Sequence, residues 1–497
     1  MSYFLGVDIG TFETKGALVD SSGKIISSAS RPHKMLVPRP GWAEHRPKQD
    51  WWGDLVFVVK ALLAESRIDP KAIKAVGCSA IGPCMLPVDR DGEALSNAAL
   101  YGVDGRATAE IAQLNGEIGA DLILARCGNA LTAQSVGPKI LWLKNQRPKI
   151  YQKAAKIVTA TTYLVQKLTG ECVIDHYSAA GFSPLYEIER KGWSDKLARG
   201  IIETERLPRI VWTTDIAGQL SAKAARATGL AAGTPVIAGT IDAASEAASV
   251  GLSRAGDMMV MYGSTIFIIM VSQARIQDSR LWYAPWLFAG EHASMAGLST
   301  SGTLTHWFRD QFAKDLQPDA AFGALAAEAA KSPPGANGLI MLPYLSGERT
   351  PIHDPQAKGV IFGLNLTHRR GDVYRAAVEG IAFATRQIFE TYEEIGEPPK
   401  RLLAVGGGTK NPVWLQATSD TSGRPQNLRS IVQGASYGDA FLAALGVGAV
   451  KRGDIGAWNK TVRKVAPSKS RRDIYDRQYS VFKQLYSRNR DMMAELG

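Results

Sequence analysis

GVDIGTFETKGALV, Gly6 to Val19, is an apolar run, a small-residue turn and a second apolar run. The turn Ser21-Ser22-Gly23-Lys24 closes it, and Ile25-Ile26 starts a third run. Such runs bounded by Gly, Ser and Thr predict a strand meander. VMYGSTIFIIMV, Val260 to Val271, repeats the order strand, small-residue turn, strand about half a chain later. The repeat predicts two α/β domains of similar topology, residues 1–246 and 247–497. A third glycine-rich strand exit, LLAVGGG at Leu402 to Gly408, precedes a predicted helix around Trp414 to Ser419.

The rest of the chain fits that frame. A helix is predicted from Pro47 through Trp51, Leu55, Val58 and Leu62, and a strand at Ala75 to Ser79. Asp104–Asn115 and Lys139–Asn145 read as helices, with Pro148 stopping the second. Tyr163–Leu168 reads as a helix capped by Gly170. Pro235–Gly239 is a short buried-strand pattern that runs into Asp242.

The 497 residues have 45% apolar and 21% charged side chains, the balance of a globular protein with sizeable cores. That excludes disorder, collagen-like repeats and coiled coils. The four cysteines, Cys78, Cys84, Cys127 and Cys172, include no CxxC pair, which excludes a thiolate zinc site and a disulfide scaffold. Reduced thiols predict a cytoplasmic protein. The stretch Met258–Val271 is too short to span a bilayer, and MSYFLGVDIG has no charged n-region or cleavage site, so neither membrane nor export is expected. The net charge of +11 is scattered, with only short clusters such as Lys469–Arg472. Scattered charge predicts a solvated basic surface that steers an anionic small ligand, and no nucleic-acid partner.

No GxxxxGK(S/T), GxGxxG, HExxH or GxSxG motif is present. The chemistry-bearing features are three small-residue turns after apolar strands: Gly10-Thr11, Gly263-Ser264-Thr265 and Gly406-Gly407-Gly408-Thr409. Such turns let backbone N–H groups approach phosphate oxygens, because glycine carries no Cβ. Asp8 ends the first strand, either as a strand-end cap or as a carboxylate that holds Mg²⁺. Lys15 is either an exposed strand lysine or a counter-charge for phosphate. Asp242 is either a helix N-cap or a general base at a cleft.

These motifs resemble the FGGY carbohydrate kinases, the family of glycerol kinase, xylulokinase, ribulokinase and gluconate kinase. GVIFGLNLTHRRGDVYRAAVE, Gly359 to Glu379, is similar to the family's C-terminal signature at each constrained position. LPYLSGERTP (Leu342–Pro351), KILWL (Lys139–Leu143), GTPVIAGTIDA (Gly233–Ala243) and GGGTKNPVW (Gly406–Trp414) sit in the family's order. Gln134 and Val136 depart from the N-terminal signature. The resemblance implies two actin-like, ribonuclease-H-like ATPase domains with the active site in the cleft between them. It implies ATP and Mg²⁺ as cofactors, Asp242 as catalytic base and Asp8 as the carboxylate that organises the metal. Thr11, Lys15, Ser264 and Gly302 match triphosphate contacts, with Gly263 and Thr265 in the same turn. Gly407, Gly408 and Asn411 match the nucleoside end. Dimers are common in the family, so a homodimer is expected.

The sugar site is atypical. The resemblance puts it at Gly82, Pro83, Asp104 and Asp242. Yet the run Ser79-Ala80-Ile81-Gly82-Pro83-Cys84-Met85 carries neither the xylulokinase histidine nor the Arg-Glu pair of glycerol kinases. The family's W-x-D-x-R becomes Gly102-Val103-Asp104-Gly105-Arg106, which opens room or lets Tyr101 fill it. Cys84 is a pocket wall or a buried thiol. Trp282, Tyr283, Trp286 and Phe288 cover a sugar face or pack in an insertion. The reading is a xylulokinase-like kinase of a ketopentose, related ketose or polyol. The alternatives are an actin-like ATPase switch and a degenerate kinase that only binds.

Overall fold

The computed structural model describes residues 2–496. Its centre is two seven-stranded mixed sheets. In the first, β1 (Tyr3–Ile9) pairs antiparallel with β2 (Glu13–Asp20), which pairs with β3 (Ile25–Pro32). On its other side β1 runs parallel to β4 (Ile73–Ala80), and its nearly continuous burial is that of a central strand covered on both faces. In the second sheet β5 (Asp257–Tyr262) pairs antiparallel with β6 (Ile266–Ser272). β7 (Trp282–Pro285) and β8 (His292–Leu298) continue that edge, and β9 (Arg401–Val405) runs parallel to β5. The repeated hairpin therefore holds the same place in both sheets.

Two short helices follow strand ends, one in each sheet. α1 (Asp242–Ser249) lies against the first sheet's strand ends, and α2 (Gly302–Phe312) starts beside the β5–β6 turn. α3 (Arg370–Glu394) carries the C-terminal signature and packs behind the second sheet. α4 (Pro412–Ser422) follows β9, and α5 (Ala435–Gly446) crosses back to cover β1 and β4. Glycines permit that crossing. A Cβ on Gly6 would sit 1.9 Å from Ser436 O, and one on Gly438 would sit 2.0 Å from Ser245 O. Ala244, Ala247, Phe441 and Phe4 belong to one core cluster between the sheets, while each sheet also has its own.

The expected break between residues 246 and 247 falls inside α1, so sheet membership changes only after that helix. The helix expected over Asp104–Asn115 begins later, at Thr108, because Asp104 is drawn into side-chain bonds upstream. Among the described residues no helix is long and apolar enough to cross a membrane.

Candidate active site

Both hairpin turns are closed by their own backbone bonds. In the first, Gly10 N–H donates to Glu13 O at 2.9 Å; in the second, Gly263 N–H donates to Thr265 O at 3.1 Å. α2 closes on the second turn: Gly302 N–H donates to Gly263 O at 3.0 Å and Thr303 N–H to Ser264 O at 3.0 Å. A Cβ on Gly302 would lie 2.4 Å from Gly263 O, so only glycine fits. Gly406, at φ +90°, turns the chain out of β9. Asn411 caps α4, its Oδ1 accepting from Val413 N at 3.1 Å and Trp414 N at 3.2 Å. Gly263, Ser264, Gly302, Gly407, Gly408 and Asn411 all line one cavity of about 610 Å³. His306, Phe322 and Tyr374 complete its wall. These three lie on helices whose sequence carries no turn signal, so the motif reading missed them.

Beside this cavity is a cluster of acids. Asp8 is the penultimate residue of β1 and is buried. Burial, then Asp242 and Asp439, hold its carboxyl well above the usual range. The Ser79 hydroxyl is shared between Asp8 Oδ1 at 3.1 Å and Asp439 Oδ2 at 2.7 Å. Asp242 is the first residue of α1, not its cap; Ile241 holds the cap position. Its Oδ1 accepts from Ala243 N at 2.7 Å, and burial raises its carboxyl to about 6. Burial also raises Glu246 to about 7, with Lys15 opposing, and Asp439 to about 8. Among the described residues no set of three His, Cys, Asp or Glu side chains forms a metal site alone. Asp8, buried near Asp242 and Asp439, has the oxygen-donor chemistry that Mg²⁺ takes alongside phosphate oxygens.

A second cavity, about 310 Å³, is lined by Asp242, Gly82, Pro83, Tyr101, Gln134 and Thr265. Thr265 therefore faces this side of the turn, and Ser264 faces the other. Thr11 Oγ1 lies 3.1 Å from Tyr101 Oη, linking the first turn to this wall. Lys15 is half-exposed and pairs with Glu13 at 3.3 Å. Gly102 makes room for Gln134, whose Oε1 accepts from Gly102 N at 3.1 Å; a Cβ there would lie 2.8 Å from Gln134. Ser183 Oγ is buried on this wall without a hydrogen-bond partner, and Arg349 stands at the same cavity. Ser183 lies in no motif of the sequence, and Arg349, within LPYLSGERTP, carries no role there.

Asp104 is a correction. It does not line the cavity: its side chain is fully buried and accepts from Ala43 N at 2.7 Å and from Arg106. Arg106 in turn stacks over Trp42 at 4.1 Å and pairs with Glu44. The pair is a staple behind the pocket. Cys84 is a buried thiol donating to Ile81 O, its pKa pushed up to about 12 by burial. The aromatic segment divides: Trp282 and Tyr283 line the cavity, Trp286 is core against Tyr177, and Phe288 lies under Arg452.

Two actin-like layers, phosphate turns and a carboxylate-lined cleft define a phosphotransferase of the sugar-kinase type. Residues 3–251 match the N-terminal domain, and residues 258–447 the C-terminal domain, of the FGGY family of carbohydrate kinases. The chain belongs to that family and is a carbohydrate kinase. It is 28% identical over 502 residues to the xylulose kinase of Bacillus subtilis, covering 100% of this chain and 99% of that one. It is 26% identical over 428 residues to a gluconokinase of the same organism, covering 84% and 82%. The crystal structure of xylulose kinase from Rhodospirillum rubrum superposes with a TM-score of 0.92 at 31% identity, covering 99% of both chains.

Proposed function

We propose that the chain transfers the γ-phosphoryl group of ATP to a hydroxyl of a ketopentose such as xylulose, or of a related ketose or polyol. The observation that carries this is Asp242. One carboxylate oxygen is held by its own helix, and the residue opens onto a sugar-sized cavity beside the phosphate turns. A carboxylate at about 6 is ionised at neutral pH yet basic enough to accept a proton.

Phosphoryl transfer runs through a loose transition state, so the protein mainly positions groups and stabilises charge. The Gly263-Ser264 turn and the Ser264 hydroxyl face the larger cavity and would meet the triphosphate there. Asp8 is the residue that would hold Mg²⁺ with the phosphates, and bound there the ion would neutralise their charge. Asp242 orients the acceptor hydroxyl and takes its proton as the new P–O bond forms. Trp282 and Tyr283 offer ring faces to the sugar, and Ser183 offers an unpaired hydroxyl. Closure of the cleft excludes water, which otherwise competes as acceptor.

The test is ADP release with Mg-ATP across D- and L-xylulose, D- and L-ribulose, erythrulose, ribitol, arabinitol, erythritol, glycerol and gluconate. One acceptor standing far above the rest in kcat/KM is expected. ATP binding that no sugar alters, with no turnover on any, would favour a switch or a binding protein instead.

A further inference from the structure

Behind Tyr283, on the side away from the sugar cavity, is a separate cavity of about 200 Å³. Its wall includes Lys191, Arg275, His292, Trp212 and Glu291. Among the described residues Lys191 makes no ion pair. Arg275 lies over the Tyr283 ring at 5.2 Å, but its polar contacts are long: Nη1 reaches Ala125 O at 3.5 Å and Glu189 at 3.9 Å, and its buried Nε–H has no acceptor. A buried donor without an acceptor is costly, so the site asks for an oxyanion. Glu291 does not oppose one, since Arg452 holds both its oxygens at 2.9 and 2.8 Å. Glu189 also lines the cavity, but its pairing with Arg275 is long, at 3.9 Å, and its side chain is 83% exposed, so it can swing into solvent. His292 Nδ1 lies 2.8 Å from Tyr283 Oη; with the phenol donating, the imidazole proton sits on Nε2. Burial, then Lys191 and Arg275, lower the His292 pKa, with Glu189 opposing, which keeps the ring neutral. Ile188, Pro285 and the rings of Trp212 and Tyr283 supply an apolar wall.

We propose that this cavity binds a small phosphate monoester, its oxyanion between Lys191 and Arg275 and its carbon chain against Trp212 and Tyr283. An arginine fork and a lysine suit a dianion better than a single carboxylate. The volume takes a phosphate with a short carbon chain. Tyr283 is a wall of both cavities, and its backbone N and O are each 2.8 Å from the Asn129 amide on the sugar side. Clamping Arg275 and Lys191 therefore fixes β7, and the sugar cavity reads the occupancy. This second clause rests on the kinase reading above; the binding itself does not.

Calorimetry with glycerol 3-phosphate, against inorganic phosphate and glycerol, tests the site. One-site binding of the ester to the wild type is expected, at least tenfold weaker in Lys191→Asn and unchanged in Asp242→Asn. Lys191 is exposed at φ +50°, a conformation asparagine tolerates, so this variant keeps the fold. No heat, or heat lost in Asp242→Asn and kept in Lys191→Asn, overturns the site. Inorganic phosphate binding as tightly as the ester overturns the ester assignment. In the kinase assay the ester lowers the acceptor KM about fivefold in the wild type, at the lower end of typical coupling, with kcat unchanged. Lys191→Asn abolishes that effect; its persistence overturns the coupling. Failure of the kinase reading leaves the calorimetric arms intact.

Discussion

The two hairpins share one topology and differ in chemistry. Each turn opens with a glycine, Gly10 or Gly263, just after the strand end. Two residues before it, β1 carries Asp8, flanked across the sheet by Lys15 and Ser79. The matching residue of β5 is Met261, flanked by Phe267 and Val405. The first half thus holds charge at the cleft, while the second holds an apolar floor under a hydroxyl-bearing turn. Duplication supplied two backbone cradles; substitution at the strand ends divided the labour. On the proposed function, acid–base and metal work would fall to the first, and nucleotide binding to the second.

If that division holds, removing charge from the first half costs turnover, and altering the second costs nucleotide affinity. The largest effect is Asp242→Asn, expected to lower kcat by roughly two to four orders of magnitude, the range of a positioned general base. Its KM for ATP stays close to wild type. Next is Asp8→Asn, expected to raise the Mg²⁺ concentration needed for half-maximal rate and to lower kcat; an unchanged Mg²⁺ dependence would remove Asp8 from the metal. Gly302→Ala puts a methyl against Gly263 O and is expected to cost about 1–3 kcal/mol and raise the ATP KM. Denaturant melts and ATP kinetics check both.

The acids also set a pH dependence. Asp242, Glu246 and Asp439 sit at about 6, 7 and 8, above the ordinary carboxylate range. Through these three groups the folded chain binds more protons than the unfolded one between roughly pH 4 and 8, a contribution to stability that is lost as pH rises; buried His45 and His176, both lowered to about 4, oppose it only below about pH 6.5. Thermal melts without divalent cations are expected to give a lower Tm at pH 8 than at pH 5; the reverse order would contradict the acidic cluster. The smallest effects come from the second turn. Ser264→Ala raises the KM for ATP and Thr265→Val that for the acceptor, each by the severalfold of one hydrogen bond. Swapped effects would break the assignment of the turn's two faces.

The backbone cradles were legible because their signal is local: a strand, a glycine and a hydroxyl lie within a few residues at Gly10, Gly263 and Gly406. The matching hairpins likewise made the two-sheet plan visible. The sugar cavity was less legible, because it is assembled from Gln134, Ser183, Trp282 and Arg349, which no short pattern links. Asp104 misled for a related reason. A carboxylate two residues from an arginine looks the same in sequence whether it meets a sugar or, as here, a backbone N–H and its own neighbour. The return of α5 across the first sheet needs Gly6, Gly77 and Gly438 to meet it, a long-range condition that no window of sequence displays.

The central claim is that the cleft delivers phosphate to a sugar and not to water. Phosphorus NMR of Mg-ATP with the best acceptor tests it most directly. The account predicts one new phosphate monoester signal growing in step with ADP, and its near loss in Asp242→Asn. ADP accompanied only by inorganic phosphate, at equal rates in wild type and variant, would contradict it.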